Sequence, residues 1–409
     1  MAQPGGQRAD ALNQYFSDDH GFIAEKQIQG LIIYRRVNGQ DVNERIAVKH
    51  AQFGDGDEIR DEELLLRRLW GAEHIIRLLS ITQNQQHRGS GWLEPVNRPR
   101  QLPPPLLPWK LIVDRRRHAD ARGFLFFATE YLPRDTGDAL IDRCRAMNID
   151  EISEPLLWYF FLCRKKSCNY ALYYAHWTLI RNIVARACVA MAYPPNIAGA
   201  DPPAVWREVV PLARRPSRMI HGDLHLSNIM FGDDEVYNNL QPDCHQISPI
   251  DIIVKIIDFE MAHFNSTPYD AQRENIRWIG EIMLSLAILD TIPWVDDGER
   301  ASFRVSVPGR PDFETFATER FINATNVSDD YKRLVYRCMA VGMGNRPNVS
   351  TLVRECERNV QATPNWMHLA DEVSELFDSA SAVVNNRDDD GDPDYVPDGD
   401  SDSDVSMGG

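Results

Sequence analysis

"MIHGDLHLSNIMF", residues 219–231, is the stretch on which the reading of this chain turns. Apolar residues flank a short polar run that sets Asp223 and Asn228 five positions apart. A carboxylate and a carboxamide so spaced on one loop suit a site that orients a hydroxyl and holds a hard cation through oxygen atoms. Downstream, the apolar "VKIIDF" (254–259) reads as a strand that delivers a third oxygen group, Asp258. Upstream, "RIAVKH" (45–50) reads as a strand ending near Lys49. "RDEELLLRRLWG" (60–71) reads as a helix, with early acids, apolar positions 64, 65, 66 and 69, and Gly71 as its stop; Glu62 lies on it. One amine for phosphates, Asn228 and Asp258 for magnesium, Asp223 for a hydroxyl and one helix acid together make a phosphoryl-transfer set.

The order of elements predicts the fold class. Residues 22–49 alternate in short apolar runs broken by the turn-like "NGQD" (38–41), and "FLFFATEYL" (124–132) reads as a buried strand. From about 138 to 193, and again over 271–290 and 328–360, the periodicity is helical. Strands first and helices later predict an α+β protein with two lobes: a small β-rich one over 22–131 and a larger helical one over 132–365. Two stretches fall outside this pattern. Residues 82–122 hold "RPRQLPPPLLP" and read as an inserted loop, while 164–182 interrupt what would otherwise be one helix.

With 409 residues and 43% hydrophobic content, the chain can bury a large core in two or three domains. Nine Asp in 387–409 supply more than half of the net charge of −16, and that stretch reads as a disordered tail. The mildly acidic remainder has no basic stripe, so nucleic acid is not an expected partner. No uncharged apolar run reaches the ~20 residues of a membrane span and the N-terminus has no apolar signal, so no membrane association and an intracellular place, cytoplasmic or nuclear, are expected. Seven scattered cysteines read as buried reduced thiols.

Taken in order, these motifs resemble a divergent eukaryotic protein kinase-like domain of the fungal type. "IAVK" (46–49) resembles the strand bearing the phosphate lysine, and "EELLLRRL" the helix whose acid pairs with it, Glu62 fitting best and Glu63 being the alternative. "ATEYLP" (128–133) is similar to the hinge between lobes, "HGDLHLSN" to the catalytic loop, "DFE" (258–260) to the DFG motif, and "LVYRCMAVGMGNRPNVSTLV" (334–353) to the closing helices. The resemblance implies ATP and Mg2+ as cofactors. It implies Asp223, Lys49 and Asn228 as the catalytic set and Asn228 and Asp258 as metal ligands. Gly30, Ala47, Lys49, Glu62, Thr129 as gatekeeper, Glu130 and Leu132 would form the nucleotide site. The implied activity is transfer of phosphate to Ser/Thr hydroxyls of a protein substrate. A pseudokinase that binds a protein partner and a small-molecule phosphotransferase are the alternatives, the second because Gly222 and His225 are also similar to aminoglycoside and choline phosphotransferases.

Four departures accompany the resemblance. Only Gly30 remains where three glycines are usual; Gly222 and His225 replace an Arg and a Lys; and Glu260 replaces a Gly, which adds a carboxylate beside the implied metal site, there either to assist magnesium or to repel the phosphates. The segment from Asp258 to "ENIRWIGEIMLSLA" is short and lacks an "APE"; Asn275 also stands where that helix usually has an Asp, and Arg346 is expected to lose its usual acidic partner.

Overall fold

The computed structural model describes residues 4–28, 30–37, 45–51, 57–69, 72, 74–81, 93–95, 126–161, 183–194, 210–211, 214–233, 252–265, 267–292, 300–362 and 368–377. The fold is mixed α+β. Six strands, β1 (Phe22–Ile28), β2 (Leu31–Arg36), β3 (Arg45–His50), β4 (Leu78–Ile81), β5 (Leu93–Pro95) and β6 (Phe126–Glu130), form one antiparallel sheet in the order β1-β2-β3-β6-β4-β5. The continuous apolar character of β6 follows from its two covered faces. Phe126 and Ala128 join one apolar cluster, while Phe127 joins the larger core on the other side.

The cover on the first face is a helix that the sequence reading leaves out. In α1 (Pro4–His20), Ala9, Leu12 and Phe16 are buried with Phe22, Tyr34, Ile46 and Val48. Their i, i+3, i+7 spacing is the signal that was available. Burying Leu12 and Phe16 contributes about 2 kcal/mol each to docking α1 on the sheet. The 82–122 stretch also departs from a pure loop, because β5 pairs with β4 at the sheet edge, where Pro95 costs no interior ladder bond. The "NGQD" turn, the 164–182 insert and the acidic 387–409 stretch lie outside the described residues.

Helix α2 (Asp57–Arg68) buries Ile59, Leu65 and Leu66, with Leu69 just past its end, and ends before Gly71. The remaining helices are α3 (Gly137–Ala146), α4 (Glu154–Phe161), α5 (Ile183–Ala192), α6 (Pro268–Ile288), α7 (Glu319–Ile322), α8 (Asp329–Cys338), α9 (Val349–Ala362) and α10 (His368–Phe377). Through most of its length α6 is buried on every side, because α4, α5 and α8 all pack on it. Thr267 caps it by accepting from Asp270 N at 3.1 Å, with Pro268 in the first turn.

Among the described residues there are also three short ribbons: β7 (Met219–Ile220) with β10 (His263–Phe264), β8 (Ile229–Asp233) with β9 (Ile252–Ile256), and β11 (Phe303–Val305) with β12 (Phe313–Thr315). Among the described residues no helix is long and apolar enough to cross a membrane. Among the described residues Cys144, Cys188, Cys338 and Cys356 are buried free thiols, while Cys163, Cys168 and Cys244 lie outside the described residues.

Candidate functional site

The opening stretch is held from both ends. Met219 and Ile220 pair with β10, and Ile229 to Asp233 pair with β9, so the loop 221–225 and the loop 257–262 are fastened side by side by two ladders. The Ile257 N–H donates to the Asn228 carbonyl at 3.0 Å, which sets Asn228 beside the residue before Asp258. His221, fully buried, ties the loops again: Nε2 lies 2.9 Å from the Ile257 carbonyl, and Nδ1 accepts from the Asp223 N–H at 3.4 Å. These two contacts select the tautomer with hydrogen on Nε2. Burial pushes the imidazole down to about 4, so this link is neutral at pH 7.

Asp223 and Asn228 meet as the five-residue spacing suggested. Asn228 Nδ2 donates to the Asp223 carbonyl at 2.7 Å and to its Oδ2 at 3.1 Å. The Asp223 carboxylate itself is 43% exposed, open to an incoming hydroxyl. His225 accepts from the Ser227 N–H and caps the short 3-10 turn Leu226–Asn228. Its Nε2 is 3.4 Å from Asp223 Oδ2.

The second group forms around Lys49, 209 residues from Asp258 in sequence. Lys49 Nζ is 2.8 Å from Glu62 Oε2, 2.8 Å from Asp258 Oδ1 and 3.1 Å from Glu260 Oε2. Burial alone would lower the lysine, but Glu62 and Asp258 outweigh it and hold the ammonium above its ordinary value. Burial lifts Glu62 above the usual carboxylate range against the pull of Lys49. Burial acts on Asp258 too, yet Lys49 draws its carboxyl below that range. The other oxygen of Glu62 accepts from the Phe259 N–H at 3.1 Å, which locks α2 to the DFE turn. Asp258 adopts φ +60°, an uncommon conformation for a residue with a side chain and one that concentrates at functional sites.

Oxygen atoms of Glu62, Asp258 and Glu260 all lie within 4.8 Å of one another, a donor set that suits a hard divalent cation. Glu260 is thus the acid that the expected metal pair, Asn228 and Asp258, leaves out. Its signal was its place two residues from Asp258.

The expected nucleotide residues collect along the sheet next to this cluster. Leu31 and Lys49 face each other in the β2–β3 ladder, Gly30 forms the β1–β2 turn at φ +72°, and its carbonyl accepts from the His50 N–H at 2.9 Å. Gly30 meets the left-handed requirement seen at its own position among the described residues. Ala47 stands opposite Thr129, which is buried with its hydroxyl 3.5 Å from the Ala47 carbonyl. Glu130 donates its N–H to the Arg77 carbonyl at 3.0 Å, so that N–H is not available to a ligand. Its carboxylate is buried in an ion pair with Lys255 of β9 and accepts from the Arg77 N–H at 2.7 Å. Leu132 is buried, its side chain against the backbone of Gly232.

Three departures acquire physical reasons. A Cβ on Gly222, at φ +84°, would sit 2.2 Å from the Met261 carbonyl oxygen, so this loop packing excludes any side chain there. Asn275 of α6 accepts from the His221 N–H at 3.0 Å and donates to the Met219 carbonyl at 2.9 Å. An ionised Asp has no hydrogen for the second bond. The expectation for Arg346 is corrected: it keeps an acidic partner, Glu274 of α6, at 3.2 Å, and donates to the carbonyls of Ala340 and Arg273. That partner precedes Asn275 by one residue, a substitution only the tertiary approach of α6 reveals. No protein-family model matches the chain, and no curated protein matches it.

Proposed function

We propose that this chain is an ATP-dependent phosphotransferase with a two-lobed protein kinase-like fold, acting on Ser/Thr hydroxyls of a protein substrate. The observation that carries the reading is the Lys49 cluster. A strand lysine, a helix acid and a turn aspartate, far apart in sequence, meet within 2.8 Å, while Asp223 and Asn228 lie across the adjoining loop. Bound Mg-ATP supplies the transferable γ-phosphoryl group and part of its charge neutralisation. Lys49, oriented by Glu62, contacts phosphate oxygens; Asp258, with Asn228, holds the cation; Thr129, Glu130 and Leu132 flank the adenine. Asp223 accepts the proton of the acceptor hydroxyl as its oxygen bonds to phosphorus and the bond to ADP breaks.

Two features favour a second reading, a pseudokinase that binds a protein partner. Glu260 already occupies one side of Lys49, and the β1–β2 turn carries one glycine. Transfer of labelled phosphate from Mg-ATP to generic protein substrates, with thermal shift by Mg-ATP in parallel, separates the two. Asp223→Asn should keep the shift and lose transfer; Asp258→Asn and Lys49→Met should lose both. Undiminished transfer by Asp223→Asn refutes the assignment of the base, and a nucleotide shift without transfer in the wild type selects the pseudokinase.

A further inference from the structure

Far along the chain from the Lys49 cluster, the turn between β11 and β12 meets α8 and α9 around a hollow of about 300 Å3. Its wall is rich in arginine. Asp330, Arg333 and Arg337 fall on one side of α8 at i, i+3 and i+7, Glu355 and Arg358 on one side of α9 at i, i+3, and Arg310 comes from the turn. Val307 and Pro308 supply an apolar floor beside them.

The charges do not cancel. Arg337 Nη1 holds both oxygens of Glu355, at 2.6 and 2.8 Å, and Arg333 pairs with Asp330. That leaves Arg310 and Arg358, both exposed and with no carboxylate partner among the described residues, as an excess of two positive charges. Deeper in, Arg337 is 7% exposed, and its Nε is buried without a hydrogen-bond partner among the described residues. A buried guanidinium N–H without an acceptor is destabilising, and an anionic oxygen that reached it would relieve that cost.

We propose that this hollow is a docking site for an acidic peptide, and that its occupant is the chain's own aspartate-rich segment, residues 388–404. That segment carries nine Asp and no Lys or Arg, the charge complement of an arginine wall. Its attachment point lies within reach. From Arg358 to the end of α10 the chain spans at most roughly 40 Å, taking helical rises and a fully extended 363–367. From residue 377 to 404 it can extend roughly 90 Å. The tether thus spans any separation the fold allows, and a short tether raises the local concentration of the acids at the wall to about millimolar.

The test uses the full chain and a fluorescent synthetic peptide of residues 388–404, read by anisotropy at low salt. In the native chain the hollow is already filled in cis, so the peptide binds weakly. Changing the nine Asp of residues 388–404 within the chain to Asn should strengthen peptide binding at least fivefold, and adding Arg310→Glu and Arg358→Glu to that variant should weaken it at least tenfold. Both arginines are exposed, and an unchanged melting temperature establishes that the doubly reversed chain is folded. Equal binding by the native and Asp-neutralised chains would show that the segment is not the occupant. Equal binding with and without the charge reversals would show that the hollow is not the site. Absence of peptide binding to the neutralised chain overturns the proposal as well. None of these readouts involves nucleotide, so the outcome is independent of the activity proposed above.

Discussion

Glu260→Gln is the substitution whose effect follows most directly from the geometry around Lys49. Glu260 Oε2 is 3.1 Å from the ammonium that a phosphate would use. A phosphate oxygen at hydrogen-bond distance from the same nitrogen stands about 5 Å from the Glu260 carboxylate. Two like charges at that separation repel by about 0.8 kcal/mol in water and about 3 kcal/mol at an effective dielectric near 20. Because the Glu260 side chain is 40% exposed, the figure nearer water applies, about 1 kcal/mol or roughly a fivefold change in Kd. Titration calorimetry with ATP in EDTA should therefore show Glu260→Gln binding about fivefold tighter than the wild type. Excess magnesium should erase the difference, because a cation held between Glu260 and the phosphates would offset their repulsion. Adenosine, which lacks phosphate, serves as the control and should bind both proteins alike. Weaker metal-free ATP binding by the variant, or an equal gain for adenosine, would refute the reasoning.

Two further outcomes test the loop that carries Asp223. Gly222→Ala should destabilise the protein by at least about 2 kcal/mol in urea unfolding, from left-handed strain plus displacement of the Met261 backbone, and Gly222→Arg should cost no less; a midpoint equal to wild type would show that the loops are not packed as described. His221, pushed down to about 4 when folded against about 6.5 unfolded, contributes stability that is complete above pH 6.5 and is lost as pH falls towards 4. Between pH 8 and 5 this one group should account for about 2 kcal/mol of lost stability, seen as a steeper decline for the wild type than for His221→Asn, and equal slopes would count against a buried neutral imidazole.

How legible the site was in sequence depended on whether a residue's partner was local. Asp223 and Asn228 lie on one loop, so their spacing alone anticipates the contact now seen at 3.1 Å. Lys49, Glu62 and Asp258 were legible as an ordered set, since each sits at the end or on the face of an element with a clear period. The burial of Glu62 and the ion pair of Glu260 with Lys49 were not, because both depend on how α2 packs against the DFE turn. Gly222 read as an oddity in a motif; the Met261 carbonyl that forbids its side chain comes from a loop some forty residues on. Helix α1 was missed for a different reason. Its fully buried stripe is Ala9, Leu12 and Phe16, with Tyr15 packed beside them, in a largely polar stretch, and the sheet supplies the rest of its core.

The same distinction bears on how the site is held ready. His221 N and the Met219 carbonyl are fixed by one carboxamide, Asn275, on a helix that is buried almost throughout. Arg346, in turn, is fixed to Glu274 on the same helix, so the acid that anchors the closing segment and the amide that anchors the Asp223 loop are neighbours on a single rigid element. Only nine residues separate Asp258 from the start of α6, and two of them pair with β7. A segment that short, tethered at both ends and in its middle, has little freedom to order or release. In the proposed enzyme the geometry around Asp223 is therefore built in by α6, and control of activity falls to what reaches Lys49, where Glu260 already competes for the ammonium that a phosphate must find.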